Sequence, residues 1–592
     1  MRLTNVAHLR LPFGRLLGYD VTVGQPGAEL PVSFDQRRHV AVGERPGSWM
    51  ALSFRLPTRV DPDDLAAAWL AVVERHGTLR SAFTEVDGEP RLHEVEVGPG
   101  TWVEHTVEPG QAVNDALRQV LDTHCTPCSR PSHRLCLLET ADGPTVVVAA
   151  DHSHVDLWSM LVIVRDLLTA LADRRAGRTP TLPPAPPFAD HTEALRDRPL
   201  APDDVRRRWA EVLEACGDVM PRFPLPLDLP LGEGSTLVRE RVEVRDVLDV
   251  DASAAFAVRA REEGVSTLAL VVAAMTAVTR DLADQPLRAV FPVHSRYDAT
   301  WHDSVGWFIT NSVIESVDPD PRASAAAVKE AVQLGSWPLA DVLEPWGGMP
   351  EAPGMFAISW LDLRRLPVRV DATGLEAQYV GAAVLTDGVM LWFVLDESGL
   401  HLRCRYPDTD EARRHVGGWL DTLVDRLRAE ARTGADGRLR LGDRLYRIER
   451  ATREDVPALV ALLADDEIGR TREIDDLPRY EAAYDAIARN PLDYLAAVRD
   501  EDDRLVGTMQ LTVMPGLSRG GTTRLQVEAV RIASTERGRG LGTAMLEWAH
   551  DHGRARGCTL AQLTTDVERQ QAHAFYERLG YAASHTGLKR PL

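Results

Sequence analysis

A chain of 592 residues exceeds what one hydrophobic core can serve, and at about 100–200 residues per domain it calls for three or four units. With 44% hydrophobic and 26% charged residues it falls in the soluble globular class. Its formal charge of -21 excludes a general nucleic-acid binder, because phosphate contacts need a dense basic face.

The elements read in chain order as follows. The first twenty residues mix Arg2, Arg10 and Arg15 with Pro12 and Gly14 and hold no continuous apolar run, so no secretory signal is read and a cytoplasmic chain is expected. Residues 64–75 carry apolar side chains at helical spacing. His124, Cys125, Cys128, His133 and Cys136 cluster within 13 residues, a spacing that a zinc site could use. Cys136, however, sits in an apolar strand-like run at 135–138, so the cysteines are read as free thiols and no metal is expected. Residues 145–150 (TVVVAA) read as a buried strand and 158–171 as a helix. Residues 179–187 (TPTLPPAPP) hold five prolines and read as a stiff connector between a region 1–178 and a region 188–435. The longest apolar run, 268–278, is too short to span a bilayer and reads as a buried helix. An amphipathic helix over 409–431 leads into a hydrophilic linker, 431–442 (ARTGADGRLRLG), and a fresh α/β pattern opens a third domain, 445–592.

Two stretches carry chemistry. The apolar strand ends abruptly in Asp151, His152, Ser153, His154, Val155, Asp156 and Leu157, and polar groups there need partners or their desolvation costs several kcal/mol. His152 is suited to act as a general base, and Asp156, four residues on, to fix the loop. His154 has Trp158 at that position and reads as structural. Further on, a strand at 524–532 runs into Arg537, Gly538, Arg539, Gly540, Leu541 and Gly542 and then into a helix at 543–554. A glycine-rich turn opening a helix presents unpaired N–H groups and the positive dipole end to an anion, and the flanking arginines add mobile charge. The spacing differs from the GxGxxG of dinucleotide-binding folds, and the turn comes late in its domain.

His152-x3-Asp156 followed by Trp158-Ser159 resembles the HHxxxDGWS core of nonribosomal-peptide condensation domains and related free-standing acyltransferases. Ser33-Phe34-Asp35-Gln36 looks like the family's SxxQ motif, the stretch from Arg75 to Phe83 resembles RHExLRTxF, and Val305 to Asn311 is similar to VGxFVNT. The resemblance implies an α/β (α+β) fold of two chloramphenicol-acetyltransferase-like lobes meeting at a tunnel. It places His152 at the tunnel centre, to deprotonate or orient an acceptor amine or alcohol as it attacks a thioester, with Asp156 holding the loop and paired with Arg296. The donor would be a phosphopantetheine thioester or an acyl-CoA. No phosphopantetheine-carrying segment is found in the sequence, so an acyl or peptidyl carrier protein acting in trans is an expected partner. Two positions depart from the pattern: Asp151 replaces the first His and Leu157 the Gly. Trp307 and the stretch ISWLDLRRLP look more like the polyketide-associated acyltransferases, which leaves amide versus ester product open.

RGRGLG resembles the R/QxxGxG/A motif of GNAT acetyltransferases, and Ala572 to Tyr581 is close to their AxxFYxxxGF signature. This implies a mixed-sheet domain that transfers acetyl from acetyl-CoA to an amine, with Glu528 as base and Tyr576 as acid. The backbone of Val530, Arg531 and Ile532 would carry the pantetheine arm, and Arg537, Gly538, Arg539, Gly540, Leu541, Gly542 and Thr543 the pyrophosphate. The expected whole is a bifunctional acyltransferase of specialised metabolism, with neither nucleic acid nor membrane as partner. Two alternatives stay open: only the GNAT part is active, or the front region docks a carrier protein without chemistry.

Overall fold

The computed structural model describes the chain except residues 1, 142, 230–236, 436, 438, 466–469, 471, 566–569, 586–589 and 591–592. It divides into two compact units: residues 1–253 with 260–428, and residues 429–592 with 254–259.

The first unit contains an eight-stranded sheet, in the order Arg2–Asn5, Gln378–Gly381, Trp49–Arg55, Thr145–Asp151, His133–Thr140, Gly14–Leu30, Glu89–His105 and Ser81–Val86. All neighbours are antiparallel except the first two strands. Thr145–Asp151 is apolar without alternation because both of its faces are covered. Val146, Val148 and Ala150 pack with Val72 of the helix Pro62–Arg75 and Leu161 of the helix Leu157–Arg175, while Val147 and Ala149 pack with Leu117 and Leu121 of the helix Val113–His124. Each fully buried valine contributes roughly 1.5–3 kcal/mol, which fixes this strand as the rigid element that delivers the loop after it.

A seven-stranded sheet in the same unit follows the order Val313–Ser316, Leu287–Val290, Phe356–Asp362, Val389–Asp396, Gly399–Pro407, Val238–Leu248 and Leu385–Thr386. The apolar run at 268–278 lies within the helix Thr267–Ala283, which is buried from Ala269 to Thr279. A two-stranded ribbon, Val293–His294 with Ile309–Thr310, frames the loop that carries Arg296 and Trp307. Residues 178–187 hold no helix or strand, as the prolines dictate. The first sheet is not built from residues 1–178 alone, since Gln378–Gly381 pairs with both Arg2–Asn5 and Trp49–Arg55.

The second unit holds a six-stranded sheet, ordered Leu439–Leu441, Arg444–Arg450, Asp493–Arg499, Leu505–Met514, Arg524–Ile532 and Leu560–Leu563, with only the last pair parallel. The stretch read as a hydrophilic linker is largely structured. The helix Asp410–Ala435 covers its first five residues, and Leu439–Leu441 forms a hairpin with Arg444–Arg450. Gly442, at φ +65°, makes the tight turn possible, so ladder hydrogen bonds override the polar composition. The helix Leu541–Ala555 covers one face, burying Met545, Leu546 and Ala549 against Leu525, Val527 and Met509. Among the described residues, no single helix is long and apolar enough to cross a membrane.

Candidate active sites

In the first unit, the strand Thr145–Asp151 ends where the chain turns into the helix Leu157–Arg175, and Asp156 caps that helix by accepting from Ser159 N at 2.6 Å. Arg296 Nη2 donates to Asp156 Oδ1 at 3.0 Å, and Phe308 N donates to Oδ2 at 3.1 Å. Arg296 also donates to the carbonyls of Trp301 and Ser304 and to Ser159 Oγ, and its guanidinium lies 3.8 Å from the Phe308 ring centroid. Burial lowers the Arg296 pKa, and the Asp156 carboxylate offsets that only in part. With its oxygens engaged by Ser159, Arg296 and Phe308, Asp156 fixes the loop and makes no hydrogen bond to His152.

His152 is half-buried, its ring stacked on Trp307 with centroids 4.3 Å apart and planes 28° apart. Among the described residues, neither ring nitrogen is hydrogen-bonded to another residue, and Nδ1 is fully buried. Burial lowers the His152 pKa, which favours the neutral imidazole that a general base needs. Gly306, next to Trp307, has no room for a side chain, since a Cβ there would lie 2.4 Å from the Phe188 ring. Gln36 Nε2 donates to Ser153 O at 2.8 Å, so the SxxQ segment braces the same loop.

Sequence reasoning passed over part of this site. Asp151 is completely buried and binds His39 Nε2 at 3.2 Å, Ser153 N at 2.8 Å and Ser153 Oγ at 2.5 Å. Burial pushes its carboxyl up, but the bonds from His39 and Ser153 outweigh that and hold it down to about 2. Nothing in the sequence marked His39, 112 positions away. Trp307 was visible in its motif, but its stacking was not. His154 is buried, its Nδ1 3.0 Å from Ser153 Oγ, and burial lowers its pKa to about 4. Leu157, in place of the motif glycine, starts the helix, and its carbonyl accepts from Tyr379 OH at 2.8 Å. Cys125 and Cys136 are buried and burial pushes both thiols up, Cys136 to about 12. Among the described residues, no group of His, Cys, Asp or Glu is placed to hold a metal ion.

In the second unit, the parallel pairing of Arg524–Ile532 with Leu560–Leu563 stops at Val527 opposite Leu563, so Glu528 to Ile532 continue without that neighbour. Ala529 lies at φ +52°, where the ladder with Leu505–Met514 slips by one residue, a bulge that re-aims the strand just after Glu528. Glu528 is exposed and accepts from Gln526 Nε2 at 3.4 Å. Arg531 and Ile532 pair with Thr508 and Gly507, and the Val530 carbonyl accepts from the Arg531 guanidinium at 2.9 Å.

Gly538 and Gly540 lie at φ +77° and +86°, and Gly540 is the N-cap of the helix Leu541–Ala555, with no side chain capping it. The first N–H groups of that helix, from Leu541, Gly542 and Thr543, therefore point out from a turn with no Cβ in the way. This turn fits a pyrophosphate. The arginines differ from expectation in being tethered rather than mobile. Arg537 donates to the Ile532 carbonyl at 3.1 Å and to Asp465 at 3.2 Å, and Arg539 reaches Glu536 at 3.5 Å. Glu536 is itself buried and held by Arg444 and by the Tyr446 hydroxyl at 2.6 Å. Tyr576, on the helix Gln570–Arg578, is half-buried beside Phe575, whose ring would lie 3.3 Å from a Cβ on Gly542. The FY block and the glycine turn thus lie side by side.

Comparison with known proteins agrees with this division. The family model described as Condensation domain matches residues 29–333, and that described as Acetyltransferase (GNAT) family matches 457–581. The isonitrile lipopeptide synthase of Mycobacterium tuberculosis is 29% identical over 366 residues, which make up 58% of this chain and 15% of the synthase. The chain thus spans under a sixth of that relative's length. The aminoalkylphosphonate N-acetyltransferase of Salmonella typhimurium is 30% identical over 149 residues, covering 24% of this chain and 90% of that enzyme. Among solved structures, the PapA2 acyl transferase matches with a TM-score of 0.65 at 20% identity, covering 73% of this chain and all of that one, a likeness of fold.

Proposed function

Since the chain belongs to the condensation-domain family and carries a GNAT acetyltransferase domain after it, we propose that it performs two separate acyl transfers in specialised-metabolite biosynthesis. In the first unit, the acceptor amine or alcohol gives its proton to His152 Nε2 as it attacks a thioester carbonyl, and the departing thiolate takes a proton back. The donor is a carrier-protein phosphopantetheine thioester or an acyl-CoA. Asp156 and Arg296 hold the loop and Trp307 holds the ring. The observation that carries this reading is the half-buried His152, neutral by burial, stacked on Trp307 and, among the described residues, with no other residue bonded to its ring nitrogens.

In the second unit, acetyl-CoA when bound supplies the activated acetyl group. The turn of Arg537, Gly538, Arg539, Gly540, Leu541, Gly542 and Thr543 holds the pyrophosphate, and the backbone of Val530, Arg531 and Ile532 lies along the pantetheine arm. Glu528 takes the proton from the acceptor amine, directly or through water, and Tyr576 returns one to the sulfur. A small primary amine is the acceptor class, and the named substrate of the Salmonella relative makes an aminoalkylphosphonate a rational first probe.

The test is mass spectrometry of products from the purified chain with acetyl-CoA and a panel of small amines, in wild type and in the Tyr576→Phe and Gly540→Asp variants. The panel is repeated with acyl carrier thioesters in wild type and His152→Ala. Tyr576→Phe should slow acetylation and alter its pH profile; an unchanged profile removes its acid role. A second reading, in which the first unit only docks a carrier protein, draws on the departures at Asp151 and Leu157. Product formation undiminished in His152→Ala, with carrier binding intact, would favour it.

A further inference from the structure

Where the family pattern has its first histidine, this chain places Asp151, and the structure brings a different histidine to it from the helix Phe34–Ala41. His39 sits at the centre of a three-residue chain. Arg45 Nη2 lies 3.0 Å from His39 Nδ1, and His39 Nε2 lies 3.2 Å from Asp151 Oδ1. The same Nη2 lies 3.5 Å from His39 Nε2, so the guanidinium sits against the imidazole beside both ring nitrogens, while Nε2 faces the carboxylate. Arg45 is anchored by a second bond, from Nη1 to the His39 carbonyl at 2.9 Å. The edge of the same imidazole meets Trp307, with centroids 5.1 Å apart, and Trp307 in turn stacks on His152. The two histidine rings lie 6.3 Å apart.

His39 therefore touches the two groups that frame His152: Asp151, its neighbour along the chain, and Trp307, the plate under its ring. An unpaired carboxylate with no exposed surface would carry a desolvation cost that its serine contacts alone do not meet. We propose that His39 is a positioning residue for His152, partnering the buried Asp151 and bracing Trp307. It does not touch substrate. The inference rests on the reading of His152 as the reacting base, and it names what this chain uses in place of the missing motif histidine.

The charged and titratable groups that face His152 are His39 from the helix Phe34–Ala41, Asp151 from its own strand and Asp156 from its own loop. Around the His39–Asp151 pair stand Arg45, which acts on Asp151, and His154. His39 opposes protonation of His152 and Asp151 favours it. Breaking the same contact from its two ends should therefore push His152 in opposite directions, which a merely structural contact would not do.

The experiment is an NMR pH titration of the full-length chain with isotope-labelled histidine, with the His152 resonance assigned by its loss in His152→Ala. His39→Leu should move the His152 titration to higher pH and Asp151→Asn to lower pH. His39→Gln, whose amide nitrogen can still donate to Asp151, should fall nearer to wild type than His39→Leu. If the leucine variant does not fold, His39→Asn replaces it, being too short to reach the carboxylate. Shifts in the same direction from both ends, no shift, or a glutamine variant indistinguishable from leucine overturns the proposal. This readout needs no turnover, so it stands apart from the His152→Ala activity test: loss of the base role would show there and leave the titration result interpretable.

Discussion

Replacing Asp156 by alanine removes three contacts at once, and the cost of two of them can be placed. The helix Leu157–Arg175 loses its N-cap, the 2.6 Å bond at Ser159 N, which is worth about 1 kcal/mol. Arg296, whose side chain is fully buried, loses its counter-charge at 3.0 Å, and breaking one partner of such a pair costs roughly 3–5 kcal/mol. Arg296 keeps the carbonyls of Trp301 and Ser304 and the Ser159 hydroxyl, which places the loss at the lower end of that range. The first unit should lose about 4 kcal/mol, a large share of a typical domain's 5–15 kcal/mol. Hydrogen exchange read by mass spectrometry in increasing urea is the suitable assay, because peptides from residues 145–175 report separately from those beyond 439. Arg296→Met alone should also destabilise. The double variant, which leaves no buried charge unpaired, should lose at least about 1 kcal/mol less than the two single losses added. A loss under about 1.5 kcal/mol for Asp156→Ala, or strict additivity in the double variant, would refute the scaffolding role assigned to this pair.

Three further outcomes are expected. Burial raises the Asp35 carboxyl to about 6, against about 3.9 in an unfolded chain, so the group costs stability above pH 6 and the cost fades as the pH falls toward 4. Asp35→Asn should accordingly be more stable than wild type at pH 8 by about 2–3 kcal/mol, with the gap closing by pH 4 in paired urea melts. Gly540→Asp puts a Cβ at φ +86° and a negative charge where the turn presents N–H groups, so calorimetry should show CoA affinity reduced at least about tenfold while strain at that residue costs the second unit about 1–2 kcal/mol. Gly306→Ala forces a methyl to within 2.4 Å of the Phe188 ring and should cost about 1–3 kcal/mol in the first unit, read by the same exchange assay.

Much of this molecule can be read from short stretches of sequence, because the causes are local. The unbroken apolar run of 145–150 announces a strand covered on both sides, and the polar residues after it announce a loop that must be used. The glycines at 538 and 540 announce positive φ at the start of a helix, and the FY block announces its partner helix. The motif resemblance added the two families, and the family models matched the regions it named. Local reading failed where an extended ladder overrode polar composition, as at Leu439–Leu441, and where segments far apart in the chain had to meet. The strand Gln378–Gly381 enters a sheet made otherwise of the first half of the chain, a pairing that no periodicity within either half encodes.

The contacts that shape the first site are of the same long-range kind. Asp156 and Arg296 are 140 positions apart, a pairing that the family resemblance supplied and no local pattern did, and Asp151 and His39 are 112 apart. Sequence alone determined which residues can do chemistry and the backbone that presents them, since sterics, capping and hydrophobic period act over a few residues. Tertiary packing decided what partners Asp151 and how the imidazole of His152 is seated, because those assignments depend on what each buried charge finds as a partner once both faces of the sheet are covered.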